Sequence, residues 1–148
     1  MAKGKNYLAY TAGIIDGEGC IMLSRKNYNP PRIGYYIRLC ITVGNTNEWL
    51  IHWLKMQFGG IVTVATPALP NSKDAWRWTL TSWQALSFLE LILPYLQLKR
   101  PQAELGIKFQ RERKKFAKRS EKEKALDEAD KILMGKYNQR GIGGKNDS

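Results

Sequence analysis

The chain has 148 residues and a formal net charge of +11, with 43% hydrophobic residues, five Trp and seven Tyr. That length suits one domain with a real core, and the apolar and aromatic content excludes a disordered chain. Two cysteines and a single histidine argue against a zinc cluster or a disulfide framework, and no apolar run is long enough to span a bilayer.

Residues 6–18 read as a helix with an apolar run of Tyr7, Leu8, Tyr10, Ile14 and Ile15. It closes on Asp16-Gly17-Glu18-Gly19, placing carboxylates at the end of a helix where the macrodipole disfavours them. A divalent cation would offset that repulsion. Gly13 and Gly17 share a face and clear side-chain bulk where another helix can approach. Cys20–Asn27 follows as a strand, then a turn at Asn29-Pro30-Pro31. Tyr35–Val43 alternates most clearly, with Ile37, Leu39, Ile41 and Val43 on one side. Asn45-Thr46-Asn47 then caps a helix to about Phe58, which Gly59-Gly60 ends. Ile61–Thr66 and Trp76–Leu80 are short strands flanking a loop from Pro67 to Asp74. Ser82 caps a third helix to about Leu93, and Pro101 opens a fourth that runs to about Arg119. Residues 121–136 form a C-terminal helix, and 141–148 a disordered tail. The expectation is a single domain over residues 1–140, with all five Trp in packing roles.

This is an α+β order, αββαββα with further C-terminal helices. One four-stranded antiparallel sheet would bury one face under helices and leave the other open. The open face would carry Met22, Ser24, Lys26, Tyr36, Arg38, Cys40, Thr42, Thr63, Arg77 and Thr79. Cations, hydroxyls and an aromatic ring in that mixture suit the edges of a DNA groove. The turn residues Tyr28, Asn29 and Arg32, and the loop from Pro67 to Lys73, would extend the reach along a duplex. Residues 99–119 carry nine basic and two acidic side chains, which points to a polyanion or to a solvated basic helix. His52 lies mid-helix, away from the acids, and reads as structural.

Residues 11–19 resemble the signature of the LAGLIDADG homing endonucleases, and the order of elements extends the resemblance over roughly residues 6–119. Ala12, Gly13, Ile15, Asp16 and Gly19 match; Ile14 replaces Leu, Gly17 replaces Ala, Glu18 replaces the second Asp, and Thr11 departs from Leu. The resemblance implies a four-stranded saddle on DNA and a homodimer, because the motif occurs once. It places Ala12, Gly13, Asp16 and Gly17 at the dimer interface. Glu18 would be the essential acid and metal ligand, with the Gly17 carbonyl as a second ligand and Asp16 as a further candidate. Asn45 stands at the position near the attacking water and Lys99 at the position near the scissile phosphate; Arg100 and Gln102 are weaker candidates for backbone or active-site contacts.

The implied activity is a double-strand break in a long pseudo-palindromic site, leaving short 3′ overhangs. It would use Mg2+, with Mn2+ substituting and Ca2+ supporting binding alone. An intron-encoded homing enzyme in a prokaryotic cytoplasm or an organelle matrix fits. The alternative is a non-cleaving binder of the same fold, an intron RNA maturase or a transcription regulator.

Overall fold

The computed structural model describes residues 6–65, 73–113 and 118–139. The expected tail and most of the loop after residue 66 lie outside the described residues. The elements are α1 (Asn6–Glu18), β1 (Gly19–Asn27), β2 (Tyr35–Asn45), α2 (Glu48–Phe58), β3 (Ile61–Ala65), β4 (Ala75–Thr81), α3 (Ser82–Ile92), α4 (Arg100–Arg111) and α5 (Glu121–Asn138), with a 3-10 turn at Leu93–Tyr95 before α4.

The strands form one antiparallel sheet in the order β1-β2-β4-β3. Period-two alternation decides its two faces. Ile21, Leu23, Ile37, Leu39, Ile41, Val43, Trp78 and Leu80 are buried against Ile15 of α1, Leu54 of α2, Leu89 of α3 and Phe109 of α4. Registered partners share a face, so the opposite side presents Ser24 beside Arg38, Lys26 beside Tyr36, Thr42 beside Thr79 and Thr63 beside Arg77.

Two glycines fix close approaches. A Cβ on Gly19 would meet the Ile15 backbone at 2.8 Å, so the strand can leave the helix this tightly only through glycine. At Gly60, φ is 95° and a Cβ would sit 2.5 Å from the Thr79 carbonyl.

Three expectations need correction. Ser82 does not cap α3: Thr81 is the N-cap, and Ser82 sits at φ 52°, turning the chain from strand into helix. α4 ends at Arg111, not near Arg119, because the chain turns at Glu112 and delivers Arg113 to α5. Several cations of the basic run are also paired within the chain. Arg113 and Arg119 both pair with the buried Asp127, Arg111 with Glu90 and Lys108 with Glu112. A carboxylate this buried is tolerated because two guanidinium groups meet it.

α5 starts with a capping box, Ser120 and Glu123. It runs beside β1, where Asn138 donates to the Ile21 carbonyl at 2.9 Å and so covers part of an edge strand. Among the described residues no helix is long and apolar enough to cross a membrane.

Candidate nuclease site at the end of the signature helix

α1 delivers Glu18 to the point where β1 begins, beside the end of β2. There Asn45 Nδ2 donates to Glu18 Oε2 at 2.9 Å. Asn45 is itself fixed, because its Oδ1 accepts from the Asn47 amide at 2.7 Å, while Asn47 Oδ1 accepts from Leu50 N as the cap of α2. Glu18 remains exposed, and its Oε1 is left for a ligand.

Asp16 makes structural hydrogen bonds at the end of α1. Its Oδ2 accepts from the Gln97 amide at 2.8 Å, and its Oδ1 from Leu98 and Lys99 at 3.1 and 3.0 Å. Both oxygens accept from the backbone entering α4, so Asp16 ties α1 to the start of that helix. Lys99 returns the favour: its Nζ donates to the carbonyls of Ile15 at 3.0 Å and Asp16 at 2.8 Å. A cation thus sits on the negative end of α1 and an anion on the positive end of α4. The offset expected from a metal ion comes, for Asp16, from the protein itself. Lys99 is close enough to the sheet for its charge to lower the Cys20 thiol, although burial dominates and raises it.

Other candidate residues separate in the same way. Arg100, partly exposed, donates through Nη1 to the Leu93 and Leu96 carbonyls and so closes the 3-10 turn. Gln102 is buried and donates to the Tyr137 carbonyl. Cys40 lies in register with the open face but is buried, and its thiol is raised by that burial. Ala12 is fully buried in the chain's own core and is not available to a second copy, whereas a Cβ on Gly13 or Gly17 would meet nothing within 4 Å.

The open face keeps Met22, Ser24, Lys26, Tyr36, Arg38, Thr42, Thr63, Arg77 and Thr79 partly or fully exposed. Arg38 Nε is buried with no hydrogen-bond partner among the described residues, a donor that the fold leaves unsatisfied. At the far end Tyr28 packs on Tyr36, and Arg32 lies 3.7 Å over the Tyr28 ring, with the exposed Asn29 beside them. The strand register adds Cys20, Thr81 and Ile61 to this face. Cys20 and Ile61 lay within the expected strands and their alternation was readable; Thr81 joins because β4 runs one residue past the expected end at Leu80.

Among the described residues no three metal-binding side chains converge. One exposed carboxylate with a free oxygen suits magnesium, which is held by one or two carboxylates together with substrate oxygens more often than by an all-protein cage.

A single sheet with its acid at the tip of a glycine-bearing helix is the arrangement of the LAGLIDADG homing endonucleases, to which the chain is similar in sequence and fold. No family model matches it. The DNA endonuclease I-CvuI of Chlorella vulgaris is 31% identical over 100 residues, 66% of this chain. The chain spans 59% of that relative's length. The crystal structure of homing endonuclease I-CvuI in complex with its target superposes with a TM-score of 0.60 at 25% identity, over 72% of this chain and 67% of that one. The archaeal intron-encoded homing endonuclease I-Vdi141I, complexed with DNA, gives 0.58 over 92% and 99% of the two chains, and at 13% identity it speaks to the fold alone.

Proposed function

We propose that the protein is a site-specific DNA endonuclease that acts as a homodimer and makes a double-strand break by metal-dependent hydrolysis. The observation that carries this reading is Glu18: exposed, aimed by Asn45, and held at the end of a helix whose outward face is bare glycine. Two such helices packed about a two-fold axis bring two Glu18 carboxylates together at the centre of a pseudo-palindrome. Each sheet then reads one half-site. I-CvuI is named a DNA endonuclease and has been crystallised on its target with Ca and, with the DNA not cleaved, on the I-CreI target with Mg, which favours duplex DNA as the substrate here.

Glu18 and the Gly17 carbonyl would hold Mg2+, with the DNA phosphates completing its shell. The ion, when bound, supplies a Lewis acid that activates water and neutralises phosphoryl charge. The chain's own residues do the rest. Asn45 orients Glu18 and faces the water that it helps to align. Lys99 holds the α1 terminus and adds positive potential where phosphoryl charge develops. Ser24, Lys26, Arg38, Arg77 and Thr79 read or hold the groove, and the unsatisfied Arg38 Nε gains a partner there. Tyr28, Asn29 and Arg32 extend the contact outward. Short 3′ overhangs and a gene carried within an intron belong to the same reading.

The test is cleavage of a randomised duplex library with Mg2+, sequencing the ends, beside a Ca2+ control. One enriched pseudo-palindrome with staggered ends supports the proposal. Selective binding in Ca2+ without cutting in Mg2+ refutes the nuclease. Glu18→Gln should keep affinity and abolish cutting; loss of both would make Glu18 structural.

A further inference from the structure

Both cysteines of the chain stand on the open face of the sheet, and the proposed cleavage chemistry leaves them idle. Cys20 faces Thr42 and Met22 faces Cys40 in the β1–β2 register, so Cys20 lies diagonally across from Cys40 on the same side of the sheet. Both thiols are free; Cys20 is half-buried and Cys40 only 6% exposed. Burial raises the Cys40 thiol most, Arg38 pulls it back, Cys20 pushes it up again and Arg77 lowers it, so all three side chains lie within electrostatic reach of that sulfur. Met22 puts a polarisable thioether beside the pair in place of a hard oxygen. Arg38 Nε is a buried donor with no partner among the described residues. The patch therefore combines two soft donors with an N–H that has nothing to bond.

We propose that Cys20 and Cys40 bind a soft monovalent cation of the copper(I) kind as a two-coordinate bis-thiolate, and that the loaded site weakens duplex binding on the face that carries it. The second clause rests on the DNA reading above; the first does not. Thiolate sulfur selects such ions, whereas magnesium takes oxygen. Zinc is the poorer occupant, because it takes four ligands and the single histidine, His52, lies on α2. A disulfide is poorer too. Diagonal neighbours sit about 7–8 Å apart, beyond the roughly 7 Å that a disulfide bridges without moving backbone. An inserted ion lengthens the bridge, with two metal–sulfur bonds in place of one sulfur–sulfur bond. Binding replaces two S–H bonds with two metal–sulfur bonds and releases two protons to water, which leaves the site with one net negative charge. That anion supplies the acceptor that Arg38 Nε lacks. Arg38 and Arg77 then answer the site and not a phosphate, so the positive potential that attracts DNA falls.

Titration of the full-length reduced protein against copper(I) held by bicinchoninate, under argon and without DNA, tests the site. One ion per chain should leave the chelator. Cys20→Ser and Cys40→Ala should each weaken binding by more than the roughly 10–100-fold that losing a hydrogen bond to a ligand costs, and Arg38→Gln by about that amount. Thermal melts of the metal-free variants check folding; if the buried Cys40→Ala unfolds, the half-buried Cys20→Ser decides alone. Copper taken up equally by wild type and Cys20→Ser overturns the site, as does no uptake by wild type. Two thiols that resist alkylation in the denatured, unreduced protein mean a disulfide and overturn it as well. Duplex affinity in Ca2+ then tests the consequence. One equivalent of copper(I) should lower it at least roughly tenfold in wild type, the weight of one good Arg contact to a base, and should leave Cys20→Ser indifferent to the metal. Equal affinity with and without copper refutes the inhibition. A chain that binds no duplex even without copper overturns the DNA reading and the second clause with it, while the chelator result still decides the first.

Discussion

Removing the Asp16 carboxylate isolates the clasp between α1 and α4. Asp16→Ala deletes three N–H···O bonds to the amides of residues 97, 98 and 99. A bond to a charged acceptor contributes about 1.5–3 kcal/mol when buried, and roughly 1 kcal/mol is the fair figure for this half-exposed site, so the loss is about 3 kcal/mol. For a domain of this size that corresponds to a Tm lower by about 6–12 °C. Asp16→Asn should fall between. It keeps Oδ1 for Leu98 and Lys99 but sets an amide N–H2 against the Gln97 N–H, a loss of about 1–2 kcal/mol. Urea unfolding followed by Trp fluorescence gives the energies. Hydrogen exchange should show protection lost at the amides of 97–99 before it is lost in the sheet. A Tm unchanged within about 1 °C for Asp16→Ala would refute the clasp, as would exchange at these three amides identical to wild type.

Other substitutions probe separate contacts. Gly19→Ala drives a Cβ into the Ile15 backbone, so α1 must shift; a stability loss of about 1–3 kcal/mol by denaturant melt is expected, the cost of overpacking. Asp127→Ala leaves the partly buried Arg113 and Arg119 without their shared carboxylate and should cost about 3–5 kcal/mol, with α5 opening first in limited proteolysis. Burial holds the Asp130 carboxyl above its ordinary value, with Lys108 pulling partly back. A raised folded pKa gives stability that is full when the group is protonated and lost as pH rises through the folded value. Asp130→Asn should therefore raise the Tm at neutral pH, and the gain should vanish below the ordinary aspartate pKa. If the paired half-sheets bind duplex DNA through many phosphates, affinity should fall steeply with salt in a filter-binding series; a flat dependence would argue against the open face as the binding surface.

Period and punctuation alone located α1, β1, β2 and α2 to within a residue or two, because each pairs an unbroken apolar rhythm with a Gly, Asn or Pro boundary. The open face followed from the same alternation. Long-range partners stayed hidden. Asp16 was visibly an acid at the wrong end of a helix, yet the amides that neutralise it lie more than 80 residues away. Helix rhythm runs on past Arg111, yet α4 ends there and Arg113 pairs with Asp127, a partner 14 residues on. Trp49 looks like Trp78 in one dimension. The difference is that Trp49 sits on an outward side of α2 whereas Trp78 sits on the helix-covered face of β4 against Phe58 and Phe88, which a list of residue types does not carry.

The site also divides its labour. Asp16, Gly19 and Lys99 spend their side chains, or the lack of one, on joining α1 to β1 and α4. Ser24, Arg77 and Thr79 hold no side-chain hydrogen bond among the described residues and stand on the far side of the sheet from the core. Mutations on that outer surface are nearly free of folding cost, whereas those in the joints are not. A lineage of such chains can drift in what it recognises while the scaffold and its acid stay put, and an engineer who wants a new target inherits the same freedom.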